Sequence, residues 1–408
     1  MGIQVEHECP QCGAPIQFEE TDRLLRCPYC DVQNFLFVRD YFRYVLPHKA
    51  PGREIIYAPY LRFKGNVYYC QGININYRVV DITNTGLLFK GIPDSLGLRP
   101  QAMKMKFVEP DTEGSFLRFT LQAKDIIARA GRFSEESSCG TLYHRAYIGE
   151  TLSIIYLPLY EEKGRLFDAV LNRPIANLSK GGDTIGSAVN KNPRWMLSFI
   201  PTLCPVCGWN LKGERDSVVL TCDNCYTAWE AHGGKFEQVR FSLVPAQEKN
   251  SIYLPFWKIS AGIKGIEINS FADFIRFTNQ PKAIKKEWET MGMSFWSPAF
   301  KIRPKIFLNL SKRLTITREQ FHTEETIKGK CLYPVTLPQA EAVQGMKLTL
   351  AGSTLNKKTI LPLMPRIGFE IKKTTLVYLP FQETGQEMIQ EHTKITINKN
   401  SLAFGRKL

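Results

Sequence analysis

Residues 9–30 read CPQCGAPIQFEETDRLLRCPYC, and residues 204–225 read CPVCGWNLKGERDSVVLTCDNC. Each stretch contains two Cys-x-x-Cys pairs, and the same fourteen-residue gap separates the pairs in both stretches. A spacer of two residues lets one tight turn present two thiolates from the same side, and two such turns close a tetrahedron around a metal ion. The sequence therefore predicts two four-cysteine metal sites, whose ligands are Cys9, Cys12, Cys27 and Cys30 in the first and Cys204, Cys207, Cys222 and Cys225 in the second.

Other uses of paired cysteines compete with this interpretation. Disulfide bonds need an oxidising compartment, and residues 1–6 show neither the basic nor the apolar segment of an export signal. A redox Cys-x-x-Cys pair normally occurs singly beside a βαβ pattern, so it does not explain two equal gaps. We expect structural zinc, with two ions per chain. Four thiolates also suit a rubredoxin-like iron centre, and the sequence leaves that alternative open. The remaining cysteines, Cys70, Cys139 and Cys331, are expected to be buried thiols.

Both stretches resemble zinc ribbons. The first, with Cys9-Pro10-Gln11-Cys12-Gly13 followed by Cys27-Pro28-Tyr29-Cys30, is similar to the bacterial members of that group. The second is similar as well, although Asp223 stands where proline is common. The resemblance covers roughly a fifth of the 408 residues. It implies a β-hairpin-rich fold with four ligands per site. It implies no particular function, because ribbons serve transcription, translation and assembly alike.

Landmarks downstream of the cysteines also occur twice, in the same order and at a growing interval. Such an ordered series, headed by a metal site, predicts a tandem duplication with a boundary near Gly181–Pro201. The matched positions are Cys9 and Cys204, Tyr57 and Tyr253, Arg99 and Arg303, and Tyr156 and Tyr378, which are 195, 196, 204 and 222 residues apart.

The predicted fold class is α+β and strand-rich, with two zinc ribbons that are each followed by two small β-rich modules. Most of the chain alternates polar and apolar residues in the manner of half-buried strands. Helices are expected at Leu121–Ala130, Pro281–Thr290 and Pro338–Leu350. The predicted domains are ribbon 1 at 1–45, β-modules at 46–115 and 116–198, ribbon 2 at 199–245, and β-modules at 246–330 and 331–408.

A Tyr-x-Pro sequence recurs beside apolar, β-branched residues in each predicted β-module. Because proline cannot donate to a sheet ladder, we expect these prolines at a strand edge, a strand start or a bulge. The accompanying rings either dock a partner or pack in the core, and the burial of aromatic residues in ordinary interiors favours the core. The four tyrosines are Tyr57, Tyr156, Tyr253 and Tyr378.

Positive charge is concentrated in the second half of the chain. The formal net charge is +14, and two zinc sites at −4 + 2 = −2 each lower it to about +10. Residues 1–200 hold 24 basic and 21 acidic residues, a net of +3, whereas residues 201–408 hold 29 and 18, a net of +11. The ribbons themselves carry no excess of basic residues, so we do not expect them to bind phosphate groups.

The most basic stretch is 276–330, with 12 basic and 5 acidic residues. Basic groups interleaved with aromatic rings can bind single-stranded nucleic acid, the charges holding the backbone and the rings stacking on bases. Lysine and arginine at such density are equally typical of a solvated face. The rings in question are Trp288, Trp296, Phe300 and Phe307. The candidate anion-binding residues are Lys285, Lys286, Lys301, Arg303 and Lys305.

Motifs for catalysis are missing from the sequence. It contains no phosphate loop with its lysine, no Gly-x-Ser-x-Gly and no His-Glu-x-x-His. Cys139 and His144 form only a weak candidate for a nucleophile and its base. Both predicted metal sites have four cysteines, so neither leaves the open position that catalytic zinc requires. We therefore expect a protein that is not an enzyme.

The favoured function is that of a cytoplasmic, non-enzymatic zinc protein that acts as a scaffold or adaptor for other proteins. Nucleic-acid binding through residues 276–330 is the alternative, and an enzyme with an unrecognised site is a third hypothesis. An anionic membrane surface fits the same charge, although no apolar run approaches the roughly 18 residues that a membrane span needs. The sequence does not predict an oligomeric state.

Overall fold

The structure, a computed structural model, describes residues 3–89, 91–122, 126, 140–177, 189–190, 197–248, 250–317 and 321–407. It divides into two compact units. The first comprises the described residues of Met1–Lys64, Val80–Glu136 and Glu150–Thr202, and the second those of Gly65–Val79, Ser137–Gly149 and Leu203–Leu408. Strand exceeds helix, at 43% against 16%, so the strand-rich class predicted from the sequence is confirmed. The finer division into six domains stays a prediction.

The strands up to residue 201 are β1 (Gln4–Glu8), β2 (Pro15–Glu19), β3 (Leu24–Arg26), β4 (Gln33–Phe37), β5 (Phe42–Val45), β6 (Ile56–Gln71), β7 (Asn74–Thr85), β8 (Met105–Phe107), β9 (Ser115–Leu117), β10 (Leu142–Glu162), β11 (Arg165–Asp168), β12 (Arg173–Asn177), β13 (Val189–Asn190) and β14 (Ser198–Pro201). Those that follow are β15 (Val219–Cys222), β16 (Thr227–His232), β17 (Lys235–Val239), β18 (Phe241–Leu243), β19 (Ile252–Lys264), β20 (Ser294–Pro298), β21 (Cys331–Leu332), β22 (Gly368–Thr384), β23 (Glu387–Gln390) and β24 (Thr396–Asn398).

The helices are α1 (Arg99–Ala102), α2 (Phe271–Thr278), α3 (Pro304–Thr317), α4 (Gln339–Ser353), α5 (Lys357–Ile360) and α6 (Lys399–Gly405), with 3-10 turns at Lys286–Glu289 and Leu361–Leu363. None of the helices in the described ranges is long and apolar enough to span a membrane.

Most strands before residue 200 belong to one sheet with the order β13-β9-β6-β10-β5-β8-β1-β2, to which β7, β11 and β12 are added. The first two ribbon strands are part of this sheet, because β1 pairs with β2 on one side and runs parallel to β8 on the other, with Val5 opposite Met105. The strands β14, β4 and β3 form a separate small sheet. Ribbon 1 is therefore continuous with the core of the first unit, which includes Cys9 and Cys27.

The second unit is built around a sheet with the order β20-β19-β22-β23-β24, to which β18 and β21 are added. A three-stranded sheet, β15-β16-β17, carries the second cysteine group. It joins the unit at Val218, whose N–H donates to the carbonyl of Val335 at 2.8 Å. Val219 and Ala228 from this ribbon share a hydrophobic core with Trp257.

Corresponding strands pair in the same way in the two halves. A short strand runs parallel to a long one, with Val45 of β5 opposite Tyr156 of β10, and Leu243 of β18 opposite Tyr378 of β22. A second short strand runs parallel to the first long one, with β9 beside β6 at Tyr57 and β21 beside β19 at Tyr253. Each of the four tyrosines of the Tyr-x-Pro sequences therefore sits at a matching register position.

The Tyr-x-Pro tyrosines are all buried, so their expected role in the core is confirmed. Their prolines lie inside long strands rather than at a start, an edge or a bulge, which corrects the sequence expectation. The reason is that each proline uses only its carbonyl, and its missing N–H therefore costs the sheet nothing. The carbonyls of Pro59, Pro158, Pro255 and Pro380 accept from the N–H groups of Gly86, Ala169, Ala299 and Glu391.

Of the three predicted helices, the third is present as α4 (Gln339–Ser353). The second was wrong except for the 3-10 turn at Lys286–Glu289. Most of the first, Leu121–Ala130, lies outside the described residues. Helix α2 was not predicted, although Ser270 and Asp273 form a capping box at its start and this Ser-x-x-Asp spacing is visible in the sequence.

Helix α3 was not predicted either, because this stretch was interpreted by its positive charge and not by its apolar periodicity. It begins at Pro304, which lacks the N–H that the first turn leaves unpaired. Its buried residues include Phe307, Leu310 and Leu314, at the three- and four-residue spacing of a helix face.

Candidate metal centres

The front half of the first centre is a tight turn between β1 and β2. The N–H of Cys9 donates to the carbonyl of Ala14 at 2.8 Å, and the N–H of Gly13 donates back to the carbonyl of Cys9 at 2.9 Å. Gly13 has φ of 71°, a left-handed conformation that is easy only for glycine. The turn brings Cys9 and Cys12 to the same side.

The rear half lies between β3 and β4. The N–H of Cys27 donates to the carbonyl of Val32, and the N–H of Asp31 donates to the carbonyl of Cys27, both at 3.0 Å. Asp31 takes the left-handed conformation here, with φ of 61°. A further N–H, that of Tyr29, points at Cys27 Sγ from 3.4 Å. The backbone N–H groups of Tyr29 and Cys30 face this sulfur and favour its thiolate form.

The second centre repeats this geometry between Leu203 and β16. The N–H of Cys204 donates to the carbonyl of Trp209 at 2.7 Å, and the N–H of Gly208 donates to the carbonyl of Cys204 at 2.8 Å. Gly208 has φ of 71°, equal to that of Gly13. The rear pair lies on the β15–β16 hairpin, where Cys222 is opposite Thr227.

The sulfur positions fit a tetrahedral metal ion. The Sγ atoms are 3.7 Å apart for Cys9 and Cys30 and for Cys12 and Cys27, and 3.5 Å apart for the corresponding pairs of the second group. A metal–sulfur bond of about 2.3 Å gives a tetrahedral edge of about 3.8 Å. A disulfide needs about 2.05 Å, so these cysteines are not disulfide-bonded. The structure thus brings together all eight predicted ligands in two groups of four, each able to hold a metal ion.

The environment lowers the pKa of Cys27 in the first group and of Cys204 and Cys207 in the second. Hydrogen bonds from the N–H groups of Cys30 and Tyr29 lower the pKa of Cys27 to about 7. Burial raises the pKa of Cys204, but the N–H groups of Cys207 and Val206 outweigh it and lower the pKa to about 6. These thiols lose their protons readily, as ligands of a metal cation must.

A threonine supports the second centre from outside the cysteine group. Thr227 Oγ1 lies 3.1 Å from Cys225 Sγ and 3.7 Å from Cys204 Sγ. It accepts a hydrogen bond of 2.8 Å from Trp229 Nε1, so its own hydroxyl proton is directed toward the sulfurs. Such outer contacts orient metal ligands and stabilise their negative charge.

The other described cysteines differ in their exposure to solvent. Cys70 is buried, as expected, and burial raises the pKa of its thiol to about 12. Cys331 is exposed at the start of β21, which corrects the prediction of burial. Cys139 lies outside the described residues, so its pairing with His144 is not addressed. Burial lowers the pKa of His144 to about 4.

The four aromatic rings that the sequence singled out in the basic stretch are buried in the core of the second unit. They therefore cannot stack on bases in this fold, and the idea of interleaved rings is wrong for these residues. What remains of the nucleic-acid alternative is charge alone. The buried rings are Trp288, Trp296, Phe300 and Phe307.

Three of the five candidate basic residues lie at the N-terminal end of α3. Lys282 Nζ donates to the carbonyl of Ile316, next to the end of the helix, at 2.8 Å. The helix has 14 residues and is therefore about 21 Å long. Lys301, Arg303 and Lys305 lie at its N-terminal end, whereas Lys285 precedes and Lys286 begins the 3-10 turn Lys286–Glu289.

The front turn of ribbon 2 exposes three large apolar side chains, which the sequence analysis did not single out. Leu203, Val206 and Trp209 are 52%, 62% and 57% exposed. The N–H of Cys204 bonds to Trp209 as the N–H of Cys9 bonds to Ala14, so Trp209 is equivalent in position to Ala14. With the same offset between the two turns, Val206 is equivalent to Gln11. Leu203 aligns with Glu8. The same backbone thus forms in ribbon 1 without large apolar residues at these positions.

Comparison of the chain with protein-family models, with curated proteins and with solved structures gives no match.

Proposed function

We propose that each four-cysteine group holds one zinc ion, whose role is structural. The support is the sulfur geometry, since separations of 3.5–3.7 Å approach the edge of a zinc tetrathiolate tetrahedron. Four protein ligands leave no position for water or substrate. Iron satisfies the same ligands, and elemental analysis separates the two metals.

We further propose that the protein is not an enzyme and acts as a scaffold or adaptor for other proteins. The observation that carries this proposal is the apolar turn of ribbon 2. Leu203, Val206 and Trp209 stand exposed around a metal site whose twin in ribbon 1 folds with Glu8 and Gln11 instead. Folding therefore does not require them. Exposed apolar clusters mark docking surfaces, and tryptophan is enriched among residues that dominate binding energy.

The matched pairing and hydrogen bonds of the halves support a second inference, that the chain arose by tandem duplication. Corresponding short strands meet corresponding long strands at the same register, and both ribbons use the same turns. Duplicated units commonly diverge in their surfaces while they keep their cores. The apolar turn of ribbon 2 is such a divergence.

The test is affinity purification of the tagged protein from its native host, with and without nuclease. The variant Leu203→Glu/Val206→Gln/Trp209→Ala copies the residues of ribbon 1 onto ribbon 2. We expect it to keep both zinc ions and to lose the captured proteins. The control is Tyr29→Gln, which removes an exposed ring from ribbon 1. Capture that is equal for both variants and wild type would contradict docking at ribbon 2.

The same experiment addresses nucleic-acid binding. If material captured by the wild type disappears with nuclease, and its binding weakens steeply with salt, the basic residues around α3 are the active surface. The observation in favour of this alternative is the net positive charge of 276–330. The burial of its aromatic rings counts against sequence-tolerant stacking.

A further inference from the structure

A cleft of about 630 Å³ opens in the second unit between β17 and β22. Its volume falls within the range of roughly 300–1,000 Å³ that is typical of binding sites. One wall is the outer edge of β17 together with Arg240, and the other is the run Ile371–Thr374 of β22. Both walls are strands, so the cleft is bordered by polypeptide backbone on two sides.

Each of these strands has an edge without a strand partner. β19 covers one edge of β22 from Gly368 to Phe381. On the opposite edge β18 pairs with Leu376–Tyr378 and β23 with Phe381–Thr384. Residues 368–375 have no partner strand on that edge among the described residues. β17 pairs only with β16 in the same part of the chain.

The backbone groups of Thr374 point into the cleft. The N–H of Leu376 donates to the carbonyl of Arg240 at 2.9 Å, which identifies the edge that faces away from β19. The N–H and C=O of one strand residue share an edge, and residues two apart face the same way. Thr374 therefore presents its N–H and C=O to the cleft, and its pairing with Ile259 does not use them. An incoming strand can bond there without displacing a ladder bond.

Unbalanced positive charge surrounds this edge. Lys372, Lys373 and Arg240 are exposed, and none has an ion-pair partner within 4 Å in the described chain. By contrast, Lys264 pairs with Glu370 at 3.0 Å and Lys235 lies 3.8 Å from Glu237. Lys372 also lies close enough to Glu370 to lower the pKa of that carboxyl, so its charge is partly compensated, whereas Arg240 and Lys373 are in none of the described ion pairs. The surplus of positive charge at this open strand edge favours a negatively charged occupant.

Two carboxyl groups also line the cleft. Glu237 has Lys235 as its partner. Burial raises the pKa of Glu230 to about 7, so this group is partly protonated at neutral pH. These two carboxyl groups reduce the positive charge of the cleft but are fewer than its three cations. Ile371, which is 39% exposed, adds an apolar contact beside them.

We propose that this cleft binds an extended acidic segment of a partner protein, which adds as a strand to the open edge of β22. Main-chain hydrogen bonds to Thr374 supply the pairing, and Arg240, Lys372 and Lys373 select for acidic side chains. This inference rests on the proposed role in protein assembly and gives that role a second contact, separate from the apolar turn of ribbon 2.

The test uses the full-length, zinc-loaded protein and a fluorescein-labelled peptide of about ten residues in which Glu and Val alternate. We expect anisotropy to show binding of this probe and none of a matched Lys-Val peptide. Lys372→Gln/Lys373→Gln should weaken binding about tenfold, and Lys163→Gln/Lys328→Gln, with the same change of net charge at exposed positions outside the cleft lining, should leave it unchanged. Failure of the Glu-Val peptide to bind, or equal affinity in the two double variants, would overturn the proposal.

A backbone variant separates strand addition from simple attraction of a polyanion. Thr374→Pro removes the N–H that faces the cleft and should abolish peptide binding, with the zinc content and far-UV circular dichroism as checks of folding. If the variant does not fold, the lysine pair decides alone. Competition by a single-stranded oligonucleotide together with full binding by Thr374→Pro would show a polyanion surface and refute strand addition. The ribbon variant Leu203→Glu/Val206→Gln/Trp209→Ala should bind the probe normally, so the two proposals fail independently.

Discussion

Asp168 and Gln390 perform the same structural task in the two halves. Asp168 Oδ1 accepts from the N–H groups two and three residues later, at 2.9 and 3.1 Å. Gln390 Oε1 accepts from the N–H groups at the same offsets, those of His392 and Thr393. Both side chains are buried at the end of corresponding strands, β11 and β23. Four residues after each, Asn172 and Lys394 take left-handed conformations, with φ of 55° and 53°.

Gln390→Ala tests the importance of this turn. The change leaves the partly buried N–H groups of His392 and Thr393 without their acceptor, and we expect it to destabilise the protein by about 1–3 kcal/mol. Urea denaturation gives the measurement. Gln382→Ala, at a partly buried position on the adjoining strand, is the control and should cost much less. A loss of less than about 0.5 kcal/mol for Gln390→Ala would mean that water replaces the side chain.

Metal content is the most direct prediction. Purified protein should contain two zinc ions per chain by inductively coupled plasma mass spectrometry, because both groups of four sulfurs are complete. Cys12→Ser and Cys207→Ser, at the exposed ligands, should each reduce the content to about one. Stoichiometric iron in place of zinc would refute the assignment of the metal.

Loss of a buried zinc ligand should destabilise strands beyond the ribbon itself. Cys27 is part of the core of the first unit, and β1 pairs with β8 outside the ribbon. Zinc binding contributes on the order of 10–16 kcal/mol of folding free energy to isolated zinc fingers. Cys27→Ser should therefore increase hydrogen exchange in residues 3–8 and also in 105–107.

The matched control for that experiment is Cys331→Ser, because Cys331 is exposed and belongs to neither cysteine group. It should keep two zinc ions and normal exchange. If Cys27→Ser alters exchange only between residues 9 and 37, the ribbon folds independently of its sheet and this prediction is wrong.

Arg62 is a buried cation in the first unit. Its guanidinium donates to Glu20 at 2.9 Å and lies 3.1 Å from Asp81. Arg62→Ala leaves Glu20 charged and unpaired in the interior, and we expect a loss of about 3–5 kcal/mol by urea denaturation. The double variant Arg62→Met/Glu20→Met removes both charges and should recover most of that loss. Equal stability of the single and double variants would show that Glu20 tolerates the loss of its partner.

Glu230 should make stability depend on pH. Burial raises its pKa from 4.5 to about 7, against the attraction of His232 and with the repulsion of Glu237. The folded protein thus binds more protons at this site than the unfolded chain between about pH 4.5 and 7, so this contribution to stability falls as pH rises through that window. Above about pH 7 Glu230 is charged in the folded protein, and its burial then destabilises the fold by the full amount.

Glu230→Gln removes that cost. We expect the variant to be more stable than wild type at pH 8, by about 1–3 kcal/mol in urea denaturation, and the gain to be smaller at pH 6. Glu237→Gln, at an exposed position, is the control and should show little difference between the two pH values. A gain for Glu230→Gln that is independent of pH would contradict the raised pKa.

Much of the metal chemistry was predictable from local sequence. Cys-x-x-Cys spacing acts within a turn of a few residues, so the sets around Cys9 and Cys204 follow from the chain alone, and the structure brings them together. The burial of Tyr57 and its counterparts, the α4 helix and the excess of strand were also predictable, because apolar periodicity reports burial. These features depend on neighbours close in sequence.

Features that depend on distant neighbours were not predictable. Sequence did not show that Trp296 and Phe307 are buried while Trp209 is exposed, because exposure depends on which segments cover a side chain. The sequence predicted prolines at a strand edge, a strand start or a bulge. Only the sheet register shows that Pro255 lies inside a strand, where its carbonyl accepts a hydrogen bond.

The sequence by itself determined the eight cysteines, their division into two groups and the strand-rich character of the chain, since each depends on spacing over a few residues. Only the tertiary structure decided that ribbon 1 is continuous with a larger sheet and that ribbon 2 exposes Leu203, Val206 and Trp209. It also decided that β17 and β22 leave an open cleft between them. The physical reason is that pairing of strands and coverage of surface are long-range properties, which are set by segments that meet only after the chain has folded.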